Sequence, residues 1–200
     1  NGILLFTDAN SISASVQGTG QLFLNERSDV TIGNLSANDG LVSLRAGGSI
    51  TGTTVSVASP GNSITLVARG DNADIDLDLI TGAGNNDTIR LLADDDVFAA
   101  VQGGNLRVQA KNTVGDRNLA VNLATTVRSL SVDAGAATND VLNRGDIFVR
   151  ESNALALTRA VALNGTINVN ATGNLVATNV QADGVTGNDV IQLSATGAGS

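Results

Sequence analysis

The chain has no cysteine, histidine, methionine, tryptophan or tyrosine, a single proline and four phenylalanines in 200 residues. Without cysteine there are no disulfides and no thiolate metal ligands, and without histidine the commonest general base and zinc ligand is missing. No Ser-His-Asp or Cys-His set can be assembled, and no Gly-Lys-Ser/Thr phosphate loop occurs. Basic charge is also scarce: 11 Lys+Arg against 19 Asp+Glu give a net charge of -8. That sign opposes the counterion release that drives nucleic-acid binding. No apolar run approaches the roughly 18 residues of a membrane helix, so neither nucleic acid nor membrane insertion is expected. Asn1-Gly2 offers neither an initiator Met nor a basic signal-peptide start, which suggests an internal piece of a longer protein.

What is present is small and aliphatic. Hydrophobic residues make up 42% and Gly numbers 23, so a core must come from many Val, Ile, Leu and Ala side chains. Their spacing repeats. Taking the first apolar residue after each Gly/Asn/Asp corner gives Ile3, Leu22, Val42, Ile64, Ile89, Leu106, Leu130, Ile147, Ile167 and Ile191, in steps of 17 to 25 residues with a mean near 21. Most anchors are followed two residues later by another apolar residue, as in Leu22/Leu24, Ile64/Leu66 and Ile167/Val169. Period two marks a strand with one buried face. Second runs, such as Val30/Ile32, Val55/Val57 and Ile75/Leu77/Leu79, fall within most periods, and no helical stripe survives the corners.

The fold expected is all-β: a parallel β-helix or solenoid of about ten coils of about 20 residues, running through residues 1–200 as one continuous domain. A string of immunoglobulin-like sandwiches is the rival, but such cores usually hold a Trp or Tyr. A longer rhythm is set by Asn38-Asp39, Asn86-Asp87, Asn139-Asp140 and Asn188-Asp189, near 50 residues apart, and suggests duplication of a unit larger than one coil.

The segments Gly40 to Val57 (GLVSLRAGGSITGTTVSV) and Gly165 to Val180 (GTINVNATGNLVATNV) resemble the repeats of filamentous-haemagglutinin-type bacterial exoproteins and giant surface adhesins. The resemblance implies a right-handed coil, secretion to the cell surface, and a place in a surface fibre or adhesin stalk. Its partners would be flanking coils or copies of itself, and a host or neighbouring cell surface. Locally, Gly82 to Ile89 and Gly187 to Ile191 resemble degenerate glycine-rich calcium-binding nonapeptides.

Chemistry has few candidates. Calcium wants carboxylate and carbonyl oxygens, which directs attention to Asp94-Asp95-Asp96 and to the corner residues Asp87 and Asp189. Otherwise no cofactor is expected. Asp74, Asp76 and Asp78 alternate with Ile75, Leu77 and Leu79 and belong on an outward strand face. Two Arg-Gly-Asp tripeptides, Arg69-Gly70-Asp71 and Arg144-Gly145-Asp146, match a receptor-binding sequence, although a Gly-Asp turn is also what a solenoid corner requires. A polysaccharide-active β-helix enzyme is the alternative function. Against it stands the shortage of aromatic platforms, since Phe6, Phe23, Phe98 and Phe148 follow repeat positions and read as core or stacking residues. The expected function is therefore mechanical and not enzymatic.

Overall fold

The computed structural model describes residues 2–115, 123–135, 145–183 and 189–197. Seventeen strands and no helix occur among them, and every strand pairing is parallel. Parallel strands joined by short corners with no crossover helix require each turn of chain to lie on the one before it. The fold is the expected β-solenoid.

Two ladders run its length. The first stacks Gly2–Thr7, Gln21–Glu26, Val42–Ala46, Ser63–Ala68 and Thr88–Ala93. It continues through the second halves of Val97–Ala110 and Leu123–Ala134, then Leu155–Leu163, and ends on Leu175–Ala177 and Val180–Asp183. The second stacks Ser11–Thr19, Val30–Asp39, Ile50–Val57 and Ile75–Thr81. The first halves of Val97–Ala110 and Leu123–Ala134 come next, followed by Ile147–Glu151, Ile167–Ala171 and Ile191–Ala195.

The alternating residues form columns. Ile3, Leu22, Val42, Ile64, Ile89, Leu106, Leu130, Leu157 and Ala177 stack in the first ladder. Val30, Ile50, Ile75, Val97, Val114, Ile147, Ile167 and Ile191 stack in the second. The coil count is thus about eight, of about 22 residues each. The difference from ten has a definite source. The sequence anchors follow the first column from Ile3 to Leu130, but Ile147, Ile167 and Ile191 belong to the second, so the 17-residue step from Leu130 to Ile147 crosses the section instead of climbing it.

Inward residues of both ladders form one aliphatic core. Each fully buried Leu, Ile or Val contributes about 1.5–3 kcal/mol relative to exposure, so stability is spread along the stack. Phe148 is buried, whereas Phe6 is 74% and Phe23 37% exposed, so those two do not serve the core. The core narrows at one corner, where the first ladder ends in an alanine column: Ala46, Ala68, Ala93, Ala110, Ala134, Ala162 and Ala182. A small side chain is needed where the chain turns out of the sheet. Gly52 serves a different need: its φ of 130° is one that L side chains rarely adopt, and a Cβ there would strike the Ile32 backbone.

Beyond the alanine corner lies a second ladder of bonds, from side chain to backbone. The residues preceding the second column are Asp29, Ser49, Asp74, Asp96, Thr113, Asp146 and Thr166, with Val190 before the last member, Ile191. In five of these steps the earlier side-chain oxygen accepts the N–H of its counterpart one coil on: Ser49 N to Asp29 Oδ1 (2.7 Å), Asp74 N to Ser49 Oγ (3.1 Å), Asp96 N to Asp74 Oδ1 (3.0 Å), Thr113 N to Asp96 Oδ1 (2.6 Å) and Thr166 N to Asp146 Oδ1 (2.6 Å). Short side chains with an acceptor oxygen satisfy corner donors that no strand reaches.

Candidate functional site

The acidic corner between the two ladders is the densest concentration of charge. Its three consecutive aspartates have three different surroundings. Asp94 Oδ1 meets Arg69 Nη1 at 2.7 Å and Lys111 Nζ at 3.0 Å, and Asp94 Oδ2 accepts the Gly70 N–H at 3.2 Å. Burial alone would push this carboxyl up, but the Lys111 ammonium, the Gly70 amide and the Arg69 guanidinium outweigh it and hold it below the usual carboxylate range. Asp95 is pushed up by burial and by the Asp74 charge, against a smaller opposing effect from its Asn112 hydrogen bond. Asp96 belongs to the corner ladder, accepting from Thr113 and donating its N–H to Asp74.

The carboxylates brought together are therefore Asp74, Asp95 and Asp96, all half-buried, with one oxygen of each within 4.8 Å of the others. Asp74 and Asp96 are one coil apart in sequence and adjacent in space. One oxygen from each supplies three donors for a hard cation, where calcium takes about six to eight; Asp94 is engaged with its two cations and lies outside the group. Asp87 is fully buried, accepting the N–H groups of Gly61 (2.6 Å), Asn62 (3.0 Å) and Gly84 (2.7 Å), so its carboxylate ties two corners together. Asp189 stands two residues before Ile191 of the second ladder and joins no acidic cluster among the described residues.

The two Arg-Gly-Asp tripeptides occupy different settings. In the first, Arg69 and the Gly70 N–H both engage Asp94, while Gly70 and Asp71 are exposed. In the second, Arg144 lies outside the described residues. Gly145 donates to the Leu163 carbonyl at 2.9 Å, and Asp146 accepts from Thr166. The Gly-Asp portion is thus a working corner.

Two buried carboxylates were not anticipated. Glu26 is 1% and Glu151 0% exposed. Glu26 occupies the alanine column, one rung before Ala46, and Glu151 stacks on Ala171 at the end of the second ladder. Each folds back over its own corner. Glu26 accepts from the Thr7 hydroxyl (2.5 Å) and from the N–H groups of Ala9 (3.0 Å), Arg27 (2.7 Å) and Ser28 (3.3 Å). Burial would raise its pKa, but the Thr7 hydroxyl and these backbone donors together hold it below the ordinary value. Glu151 accepts from Val127 N and Asn153 N, both at 3.1 Å. One rung before it, the buried Thr125 hydroxyl has no hydrogen-bond partner among the described residues. A signal was available: Glu26 precedes Val30, and Glu151 precedes Leu155, by the same four residues that separate Ala46 from Ile50 and Ala171 from Leu175.

An open trough of about 750 Å³ lies between the Gly82–Asn85 corner, residues 153–156, and Asn174 and Val176. Gln102, Thr126 and Arg128 line it together with Asn85, Asn153 and Asn174. Amides, a hydroxyl and a guanidinium suit hydrogen bonding to a polar ligand, but the lining includes no carboxylate to act as an acid or base. No helix among the described residues is long and apolar enough to cross a membrane. Family models, curated proteins and solved structures were all compared with the chain, and none matches.

Proposed function

We propose that this chain is a structural repeat segment of a secreted bacterial surface fibre or adhesin stalk and works as a stiff spacer. The observation that carries the reading is the continuity of the two columns, nine members from Ile3 to Ala177 and eight from Val30 to Ile191. At about 4.8 Å per rung, eight turns advance about 38 Å. Each coil is held by backbone bonds and aliphatic stacking to its neighbours, so a pull along the axis is shared among many equivalent interfaces. Immunogold labelling of intact, unpermeabilised source cells tests the placement. Label on surface projections is expected, and label found only after permeabilisation would overturn the proposal.

A second reading, in which the rod itself touches a glycan, draws support from the trough and its amides around Arg128. Binding of an acidic oligosaccharide that is lost in Arg128→Gln would favour it. Cleavage of that oligosaccharide would favour the polysaccharide-active alternative instead.

A further inference from the structure

Charge is sorted on this rod in a way that its net value of -8 conceals. The outward positions of the first ladder between residues 42 and 110 carry Arg45, Arg90 and Arg107 and no carboxylate. All three arginines are exposed, and none forms an ion pair among the described residues. Arg90 and Arg107 are direct partners on successive rungs, with backbones about 4.8 Å apart, and like charges placed opposite one another are unfavourable. The second ladder carries the reverse. Asp76 and Asp78 are exposed on Ile75–Thr81, flanked by Asp74 and by Asp95 and Asp96 on the next coil. No lysine or arginine lies on the outward positions of Ile50–Val57, Ile75–Thr81 or residues 97–102. Asp76 is pushed up by burial and by the charges of Asp78 and Asp74, so this face repels itself as well.

Asp76, Asp78 and Arg90 lie on the coil formed by residues 75–93, and Arg107 lies on the next, formed by 97–110, one rung away. The ladders share one core, so their outer surfaces are different faces of the rod. With the two axes parallel and no shift along them, the arginine face of one copy can be set against the aspartate face of another at the same height. We infer that the partner for these surfaces is a second copy of this chain, docked side by side in parallel with Arg90 and Arg107 against Asp76 and Asp78. The contact is heterologous and does not close on itself, so it propagates into a raft of aligned rods. It relieves repulsion on both faces at once. A polyanion such as a sulfated polysaccharide would relieve only the arginines and would meet the net negative charge of the whole molecule. The contact stands independently of the spacer role, since rods of any function with these faces would associate.

Sedimentation velocity of the purified chain supplies the test. Concentration-dependent, faster-sedimenting species are expected at low salt and are lost in about 1 M NaCl, where the Debye length is about 3 Å. Arg90→Glu/Arg107→Glu makes both faces negative, and Asp76→Lys/Asp78→Lys makes both positive. Each double variant alone should sediment as a monomer and still unfold cooperatively, because all four side chains are exposed. An equimolar mixture of the two should regain the fast species. A wild type that stays monomeric at every concentration, association that survives 1 M NaCl, or a mixture that stays monomeric would each overturn the inference. So would a raft that forms only when a sulfated polysaccharide is added.

Discussion

Gly40 to Val57 and Gly165 to Val180 are the two stretches most alike in sequence, yet they do not occupy the same place in the coil. Val42, Leu44 and Ala46 lie in the first ladder, so the alanine that ends this strand turns the chain from the first ladder into the second. Ile167, Val169 and Ala171 lie in the second, and their alanine turns the chain back toward the first. The pattern apolar-x-apolar-x-Ala followed by a three-residue corner thus specifies a strand and the bend after it. It does not specify which side of the cross-section the strand occupies. That assignment comes from the neighbouring coil: Ile147 and Ile191 fix Ile167, just as Leu22 and Ile64 fix Val42. The change of section falls at Thr125 and Glu151, where a column of Leu35, Val55, Ile80 and Val101 gives way to Thr125, Glu151, Ala171 and Ala195. The orphan hydroxyl and one of the two buried glutamates sit at that seam.

The largest effect separates the two segments by what lies above and below them. Leu44 is fully buried between Leu24 and Leu66, so Leu44→Ala should cost about 2–5 kcal/mol. Val169 is equally buried but rests on Leu193, which is 37% exposed. Val169→Ala removes less and should cost about 1–2 kcal/mol. Urea melts read both, and equal losses would contradict a graded stack. Next, Glu151→Ala recreates the Ala171 corner in composition but abandons the N–H groups of Val127 and Asn153. A loss of about 1–3 kcal/mol is expected; a neutral result would mean that the seam needs no carboxylate. In the opposite direction, Thr125→Val keeps the branched shape and deletes the unpartnered hydroxyl, and should stabilise by about 1 kcal/mol.

The smallest effects concern the acidic corner and carry opposite signs. Asp94 has a lowered pKa, so its contribution is present above its ordinary 3.8 and fades as pH falls through the folded value. Asp94→Asn should lower the melting temperature at pH 7, and the deficit should vanish in acid. The Asp95 pKa is raised, so its favourable contribution exists below 3.8 and is lost as pH rises through the folded value. Asp95→Asn should raise the melting temperature at pH 7, and that gain too should disappear in acid. Each change is about 1 kcal/mol or less, as befits partly solvated charges. Thermal melts of both variants from pH 3 to pH 7 would reveal crossing or non-crossing curves.

These contrasts also mark how far the sequence could be followed. Alternation identified the strands, because burial on one face leaves a period of two wherever it occurs. It could not distinguish the two columns, since Ile147 looks the same from either side, and so it overcounted the coils. The Asn-Asp rhythm does not keep to one ladder: Asp39 and Asp87 precede Val42 and Ile89 of the first, but Asp189 precedes Ile191 of the second, while Asn139-Asp140 lies outside the described residues. At the acidic corner, adjacency in sequence suggested Asp94, Asp95 and Asp96 as a set. Backbone direction sends Asp94 to Arg69 and Lys111 instead, and brings in Asp74 from one coil earlier. Reading charged residues at intervals of one coil would have found that substitution.

The side-chain ladder at the corner gives the rod an arrow. Every one of its five bonds has the acceptor in the earlier coil and the donor in the later one. Cutting the stack between coils is therefore not symmetric. The backbone at the same corner runs the other way, from Val30 N–H to the Ser49 carbonyl and from Ile50 N–H to the Asp74 carbonyl, so a cut frees amides on both halves and bares carboxylates and hydroxyls only on the upstream one. At this corner a rod shortened from its far end presents side-chain acceptors beside its freed amides, and one shortened from its near end presents amides and main-chain carbonyls alone.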